Sequence, residues 1–134
     1  MTCQLSRSAL DTVIAHAERA QPLECCGVLL GRQPDAISEA AEIRNVAQDP
    51  DRYLLDPKGH LDVRRQARQR GLEIVGFYHS HPHSSARPSA RDIAEATYPG
   101  HFYLIVALGE VQPEIRLYQL TDGNFDETPY VTVT

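Results

Sequence analysis

The feature that most constrains this chain is a repeated switch of hydrophobic period. Segments with helical spacing alternate with short, continuously apolar runs. Leu10, Val13, Ile14 and Ala17 recur at i, i+3, i+4 and i+7, which predicts an amphipathic helix that Ser6 or Ser8 caps and Pro22 closes. A second helix is expected from Asp56-Pro57, a cap followed by a first-turn proline, through Leu61 and Ala67 to a stop at Gly71. Residues 27–30, 74–78 and 102–108 read as buried strands, although an apolar run as short as 25–30 does not by itself separate strand from helix. A further strand is plausible over 37–46, then a turn at 48–51, a short candidate edge strand at 53–55 and a short helix over 89–96. Residues 115–120 and 125–133 close the chain as strands joined at Asp122-Gly123-Asn124. Helices interspersed with strands of both kinds predict an α/β (α+β) fold, a mixed sheet with helices packed against it.

Composition narrows the field. A length of 134 residues, 42% hydrophobic and 23% charged, suits one soluble domain spanning 1–134. Three cysteines are too few, and odd in number, for a disulfide framework, and they make a reducing cytoplasm the expected location. Cys25 and Cys26 are read as small buried hydrophobes. No run approaches the roughly 20 apolar residues of a membrane span, and the N-terminus carries no secretory pattern. The net charge of −5 argues against a generic grip on nucleic acid or anionic lipid. Residues 52–91 are locally basic, with eight Lys/Arg against three Asp/Glu, and Arg64, Arg65, Arg68 and Arg70 read as the solvated face of the second helix.

The chemistry concentrates in Gly76-Phe77-Tyr78-His79-Ser80-His81-Pro82 and in Arg87-Pro88-Ser89-Ala90-Arg91-Asp92. Alternate residues of a strand share a face, so His79 and His81 can converge on one ion while Ser80 points away. Two imidazoles and a carboxylate form a ligand set for a divalent metal such as zinc, with a fourth position left for water. Asp92 is the candidate carboxylate. Ser89 and Asp92 also stand three apart at an expected helix start, which is the spacing of a capping box, so capping and ligation both remain open. Glu24 opens the apolar run after Pro22 and is a candidate acidic partner; His83, beyond Pro82, reads as solvated.

Glu24, then His79-Ser80-His81, ten intervening residues and Asp92, with Ser89 three before it, resemble the pattern of the JAMM (MPN-plus) metalloproteases. The order of expected elements fits that family's core, a curved mixed sheet, over roughly residues 5–120. The spacing between Asp56 and His79 leaves room for one helix and one strand, which is similar to the small bacterial members and leaves out the insertions by which eukaryotic members hold ubiquitin. The resemblance implies one catalytic Zn²⁺ held by His79, His81 and Asp92, with Glu24 as general base and Ser89 as oxyanion donor. It implies a substrate too: the C-terminal Gly-Gly tail of a ubiquitin-like sulfur-carrier protein, from which an amino acid such as cysteine is released. A deubiquitinase-like isopeptidase and a non-catalytic scaffold module are the rival readings, and the oligomeric state is left open.

Overall fold

A computed structural model describes residues 2–109 and 111–134. It opens with a strand absent from the sequence expectation, β1 (Cys3–Ser6), which runs directly into α1 (Arg7–Ala20). Ser6 is the cap: its Oγ accepts the Ala9 N–H at 3.0 Å, satisfying one of the helix's unpaired first-turn donors. β2 (Cys26–Gly31) follows. The single strand expected over 37–46 is two, β3 (Ala36–Ile37) and β4 (Glu39–Ile43). They part at Ser38, whose N–H donates to the Leu30 carbonyl at 2.8 Å while its own carbonyl accepts from the Ser6 hydroxyl at 2.7 Å.

The second helix, α2 (Pro57–Gln69), has the expected Asp56 cap, and Gly71 takes the left-handed conformation (φ 76°) just beyond its end. β5 (Glu73–His81) carries both candidate histidines, and α3 (Ala90–Glu95) is capped by Ser89. Then come β6 (Phe102–Ala107), β7 (Glu114–Thr121), β8 (Asn124–Glu127) and β9 (Tyr130–Val133). The β7–β8 hairpin turns on Asp122 and Gly123, both at positive φ, as its two-residue turn requires. The closing segment expected over 125–133 is thus also split, with the Thr128 N–H still bonded to Leu117 and the Pro129 carbonyl already accepting from Cys3.

The described residues form two sheets. The larger has the order β4-β2-β5-β6-β7-β8 and is mixed, with β5 and β6 parallel and every other pair antiparallel. The smaller, β3-β1-β9, is parallel throughout. Leu10, Val13 and Ala17 of α1 pack with Leu29, Tyr78, Leu104 and Val106 on one face of the large sheet. Ala67 of α2 packs with Val28, Leu30, Phe77 and Tyr103 on the other. Each such fully buried aliphatic side chain contributes about 1.5–3 kcal/mol. A Cβ at Gly27 would lie 2.3 Å from the Tyr78 ring and 2.4 Å from the Ala41 carbonyl oxygen, so this glycine leaves the room that the ring fills. The Tyr78 hydroxyl is hydrogen-bonded to His16 Nδ1 at 2.7 Å, which satisfies a polar group carried into the core.

Residues 53–55 form no strand. Leu55 alone makes a bridge, to Asn45, and the edge of the large sheet on this side is β4. The Tyr53 ring turns instead toward the α2 face of the sheet, where it meets His79.

Candidate metal centre

Strand alternation places the site. In β5, His79 and His81 share the face on which Phe77 packs, and their neighbours across the parallel ladder are Ile105 and Ala107. Ser80 lies on the opposite face, is fully buried, and accepts the Cys25 N–H at 2.8 Å. Pro82 ends the strand, and the chain returns through a polar loop to Ser89 and α3. That helix is held by a complete capping box: Ser89 Oγ accepts the Asp92 N–H at 3.0 Å, and Asp92 Oδ2 accepts the Ser89 N–H at 2.9 Å.

The same Asp92 oxygen lies 3.0 Å from His81 Nε2 and 3.2 Å from His79 Nε2, and the two imidazole nitrogens are 3.2 Å apart. Capping and convergence are therefore properties of one carboxylate, and the two alternatives left open by the S-x-x-D spacing do not compete. A cation bound tetrahedrally at about 2.0–2.1 Å would hold its ligand atoms about 3.3–3.4 Å apart, so this triangle fits zinc with little adjustment. The tautomer fits as well. His81 Nδ1 lies 2.7 Å from the Ser85 carbonyl, which can only accept, so Nδ1 carries the proton and Nε2 of the neutral ring presents a lone pair to the cluster.

Burial pulls the His79 pKa below its ordinary value, keeping that ring neutral. It pulls His81 the same way, but hydrogen bonds to Asp92 and to the Ser85 carbonyl outweigh it and raise that group. Burial also opposes ionisation of Asp92, yet the two histidines and the Ser89 N–H hold its carboxyl well below the usual carboxylate range. Once the proton that His81 Nε2 shares with Asp92 is displaced, the cluster offers one anion and two neutral imidazoles, a donor set suited to a divalent ion.

Glu24 stands in the irregular segment before β2 and shares a cleft of about 410 Å³ with His81, Ser89, Asp51 and Arg87. Its Oε1 is buried without a hydrogen-bond partner among the described residues. A buried, unpartnered carboxylate oxygen is costly, and burial pushes the Glu24 pKa up to about 7, with the charges of Asp92 and Asp51 adding to the rise and His81 opposing it. A water or a substrate proton is the partner such an atom lacks. His83 is exposed at the rim of the cleft and takes no part in the cluster. Cys25 and Cys26 are buried, and burial raises their thiols to about 11 and about 12, which disfavours the thiolate a nucleophile would need.

The sequence reading marks Tyr53 only as part of a candidate edge strand, not as a neighbour of the histidines. Its ring stacks on His79, with centroids 4.3 Å apart and 19° between planes. The turn before it is braced against α3 by Arg52–Glu95 at 2.9 Å and by Asp49–Arg91 at 3.7 Å. Tyr53 also lines a pocket of about 190 Å³ together with Phe77, Tyr98, Tyr103 and Asp92.

Comparison with known proteins shows the family to which the chain belongs. The profile of the prokaryotic homologs of the JAB domain matches residues 6–121, and the chain belongs to that family, a hydrolase of the JAMM/MPN type. It is 40% identical over 108 residues to the desampylase of Haloferax volcanii, covering 75% of this chain and 77% of that one. It is 34% identical over 122 residues to the CysO-cysteine peptidase of Mycobacterium tuberculosis, covering 90% and 84%. Among solved structures, a protein of Desulfitobacterium hafniense superposes with a TM-score of 0.89 at 31% identity, covering 98% of this chain and 93% of that one. Among the described residues, no helix is long and apolar enough to cross a membrane.

Proposed function

We propose that this chain, one domain over 1–134, is a zinc-dependent cytoplasmic peptidase. It hydrolyses the bond that follows the C-terminal Gly-Gly of a ubiquitin-like sulfur-carrier protein and releases an amino acid such as cysteine. The observation that carries the reading is the triangle of His79 Nε2, His81 Nε2 and Asp92 Oδ2 beside the buried, unpartnered oxygen of Glu24. The likeness to a CysO-cysteine peptidase supports the substrate class.

His79, His81 and Asp92 would hold one zinc ion, which would supply Lewis acidity and lower the pKa of a bound water toward neutrality. Glu24 is the base. Its carboxylate, poised near neutrality by burial, takes the proton from the attacking water and passes it to the leaving amine. Ser89 Oγ already accepts from Asp92, so its hydroxyl hydrogen is left to donate to the carbonyl oxygen as negative charge develops there. The Ser89–Asp92 box thereby orients a ligand and an oxyanion donor as a unit.

The test is release of cysteine from a carrier–cysteine adduct by the zinc-loaded chain, followed by mass spectrometry beside a Gly-Gly-Lys isopeptide. The proposal expects zinc-dependent release that a Glu24→Gln variant loses while keeping its zinc. Cleavage of the isopeptide alone would move the substrate from carrier tails to protein conjugates. Absence of cleavage in both arms would remove the proposed activity.

A further inference from the structure

No regular secondary structure fixes Glu24. It lies between the end of α1 and the start of β2, outside both elements, and the β2–β5 ladder reaches only as far as the Cys25 carbonyl. The peptide group that joins Glu24 to Cys25 is nevertheless held at both ends by side chains from distant parts of the sequence. Its carbonyl oxygen accepts from Asn45 Nδ2 at 3.0 Å, and its N–H donates to Ser80 Oγ at 2.8 Å. Ser80 stands between the two histidines of β5, and its own N–H returns to the Cys25 carbonyl at 3.1 Å.

Asn45 uses its whole hydrogen-bonding capacity. Nδ2 also donates to the Arg52 carbonyl at 3.2 Å, while Oδ1 accepts from Ala47 N–H at 3.0 Å and Leu54 N–H at 2.9 Å. The loop so organised carries Tyr53 onto His79 and Arg52 onto Glu95 of α3. One amide therefore refers Glu24, a histidine and the helix bearing Asp92 to a common frame, and Ser80 ties the same peptide to the strand that bears both histidines.

We infer that Asn45 and Ser80 are positioning residues that aim Glu24 by clamping its peptide from both sides. The inference rests on the reading of Glu24 as general base. Holding that peptide matters because a base displaced by about 1 Å can cost about 10²-fold in rate. The two arms can be cut separately. Asn45→Asp keeps an acceptor for the Ala47 and Leu54 amides but can donate to neither the Glu24 nor the Arg52 carbonyl. Ser80→Ala leaves the Cys25 N–H without its acceptor, and Ser80→Thr restores a hydroxyl.

Each variant is to be measured for bound zinc, for kcat and KM on the carrier–cysteine adduct or whichever substrate is cleaved, and for hydrogen exchange of the Cys25 amide. Asn45→Asp and Ser80→Ala are expected to lose about 10–100-fold in kcat, with KM and zinc content unchanged. Exchange at Cys25 is expected to quicken in Ser80→Ala while the β2 amides stay protected, and Ser80→Thr is expected to recover both readouts. Should Ser80→Ala not fold, Asn45→Asp decides. Wild-type kcat per bound zinc in Asn45→Asp, with Glu24→Gln inactive, overturns the clamp and leaves the base intact. Normal turnover by Glu24→Gln would instead overturn the base.

Discussion

Tyr53 lies face to face with His79, the fully buried imidazole of the proposed metal centre, at a centroid distance of 4.3 Å. His81 is fixed through Nδ1 by the Ser85 carbonyl, whereas the His79 ring has the Tyr53 ring stacked on its face. The stacked phenol is therefore what restrains the His79 ring from the loop side. An aromatic pair of this kind contributes about 0.5–1.5 kcal/mol beyond its buried area. Tyr53→Leu, which keeps an apolar side chain there, is expected to weaken zinc binding by about 2–10-fold, read by competition with a chromogenic chelator. Unchanged affinity would show that His79 needs no such restraint.

Ser89 serves the helix through its oxygen and, in the proposed reaction, the substrate through its hydrogen. Ser89→Ala should separate the two. Loss of the cap costs about 1 kcal/mol of stability, whereas loss of an oxyanion donor costs about 10²–10³ in kcat. Thermal unfolding and single-turnover rates on the same preparation check this. A rate loss of only a few-fold, in step with the stability loss, would reduce Ser89 to a cap.

A good part of this centre was legible because its signals are local. The H-x-H spacing needs only the period of a strand, and the Ser89–Asp92 spacing only a helix start. Ser6, Asp56 and Gly71 mark helix ends by their own chemistry. What was missed depends on partners far along the chain. Cys3–Ser6 is a strand because β3 and β9 flank it, and four residues carry no period strong enough to announce that. The segments around Ser38 and Thr128 look continuous in sequence and divide only because their halves join different sheets. Tyr53-Leu54-Leu55 has a strand's composition, but Asn45 takes the Leu54 N–H and His79 takes the Tyr53 ring. Asn45 and Ser80 matter through bonds to residues 21 and 55 positions away, and nothing in their neighbours signals it.

His16 and His60 should each cost the fold stability in mild acid. Burial is the largest influence on His16 and lowers its pKa from the usual 6.5, with Glu42 opposing and Arg19 adding; His60 is lowered by burial and then by Arg64. A histidine depressed in the fold binds its proton more readily once unfolded. Its contribution is thus complete above the unfolded value near 6.5 and is lost as pH drops from there toward the folded pKa. Urea midpoints across about pH 7 to pH 5 combine this loss with the opposite contribution of Glu24, whose raised pKa of about 7 adds stability as pH falls, and His16→Gln, which retains a group able to bond the Tyr78 hydroxyl, is expected to shift the slope toward greater stability at the acid end. An identical slope in that variant would exclude His16 as a source of the effect.

The central claim is that His79, His81 and Asp92 gather one zinc ion within reach of Glu24. Diffraction from zinc-soaked crystals on either side of the zinc absorption edge tests it most directly. The account predicts a single anomalous peak bonded to His79 Nε2, His81 Nε2 and Asp92 Oδ2, with the Glu24 carboxylate turned toward it. A peak elsewhere, or one at this position with Glu24 turned away, would contradict it.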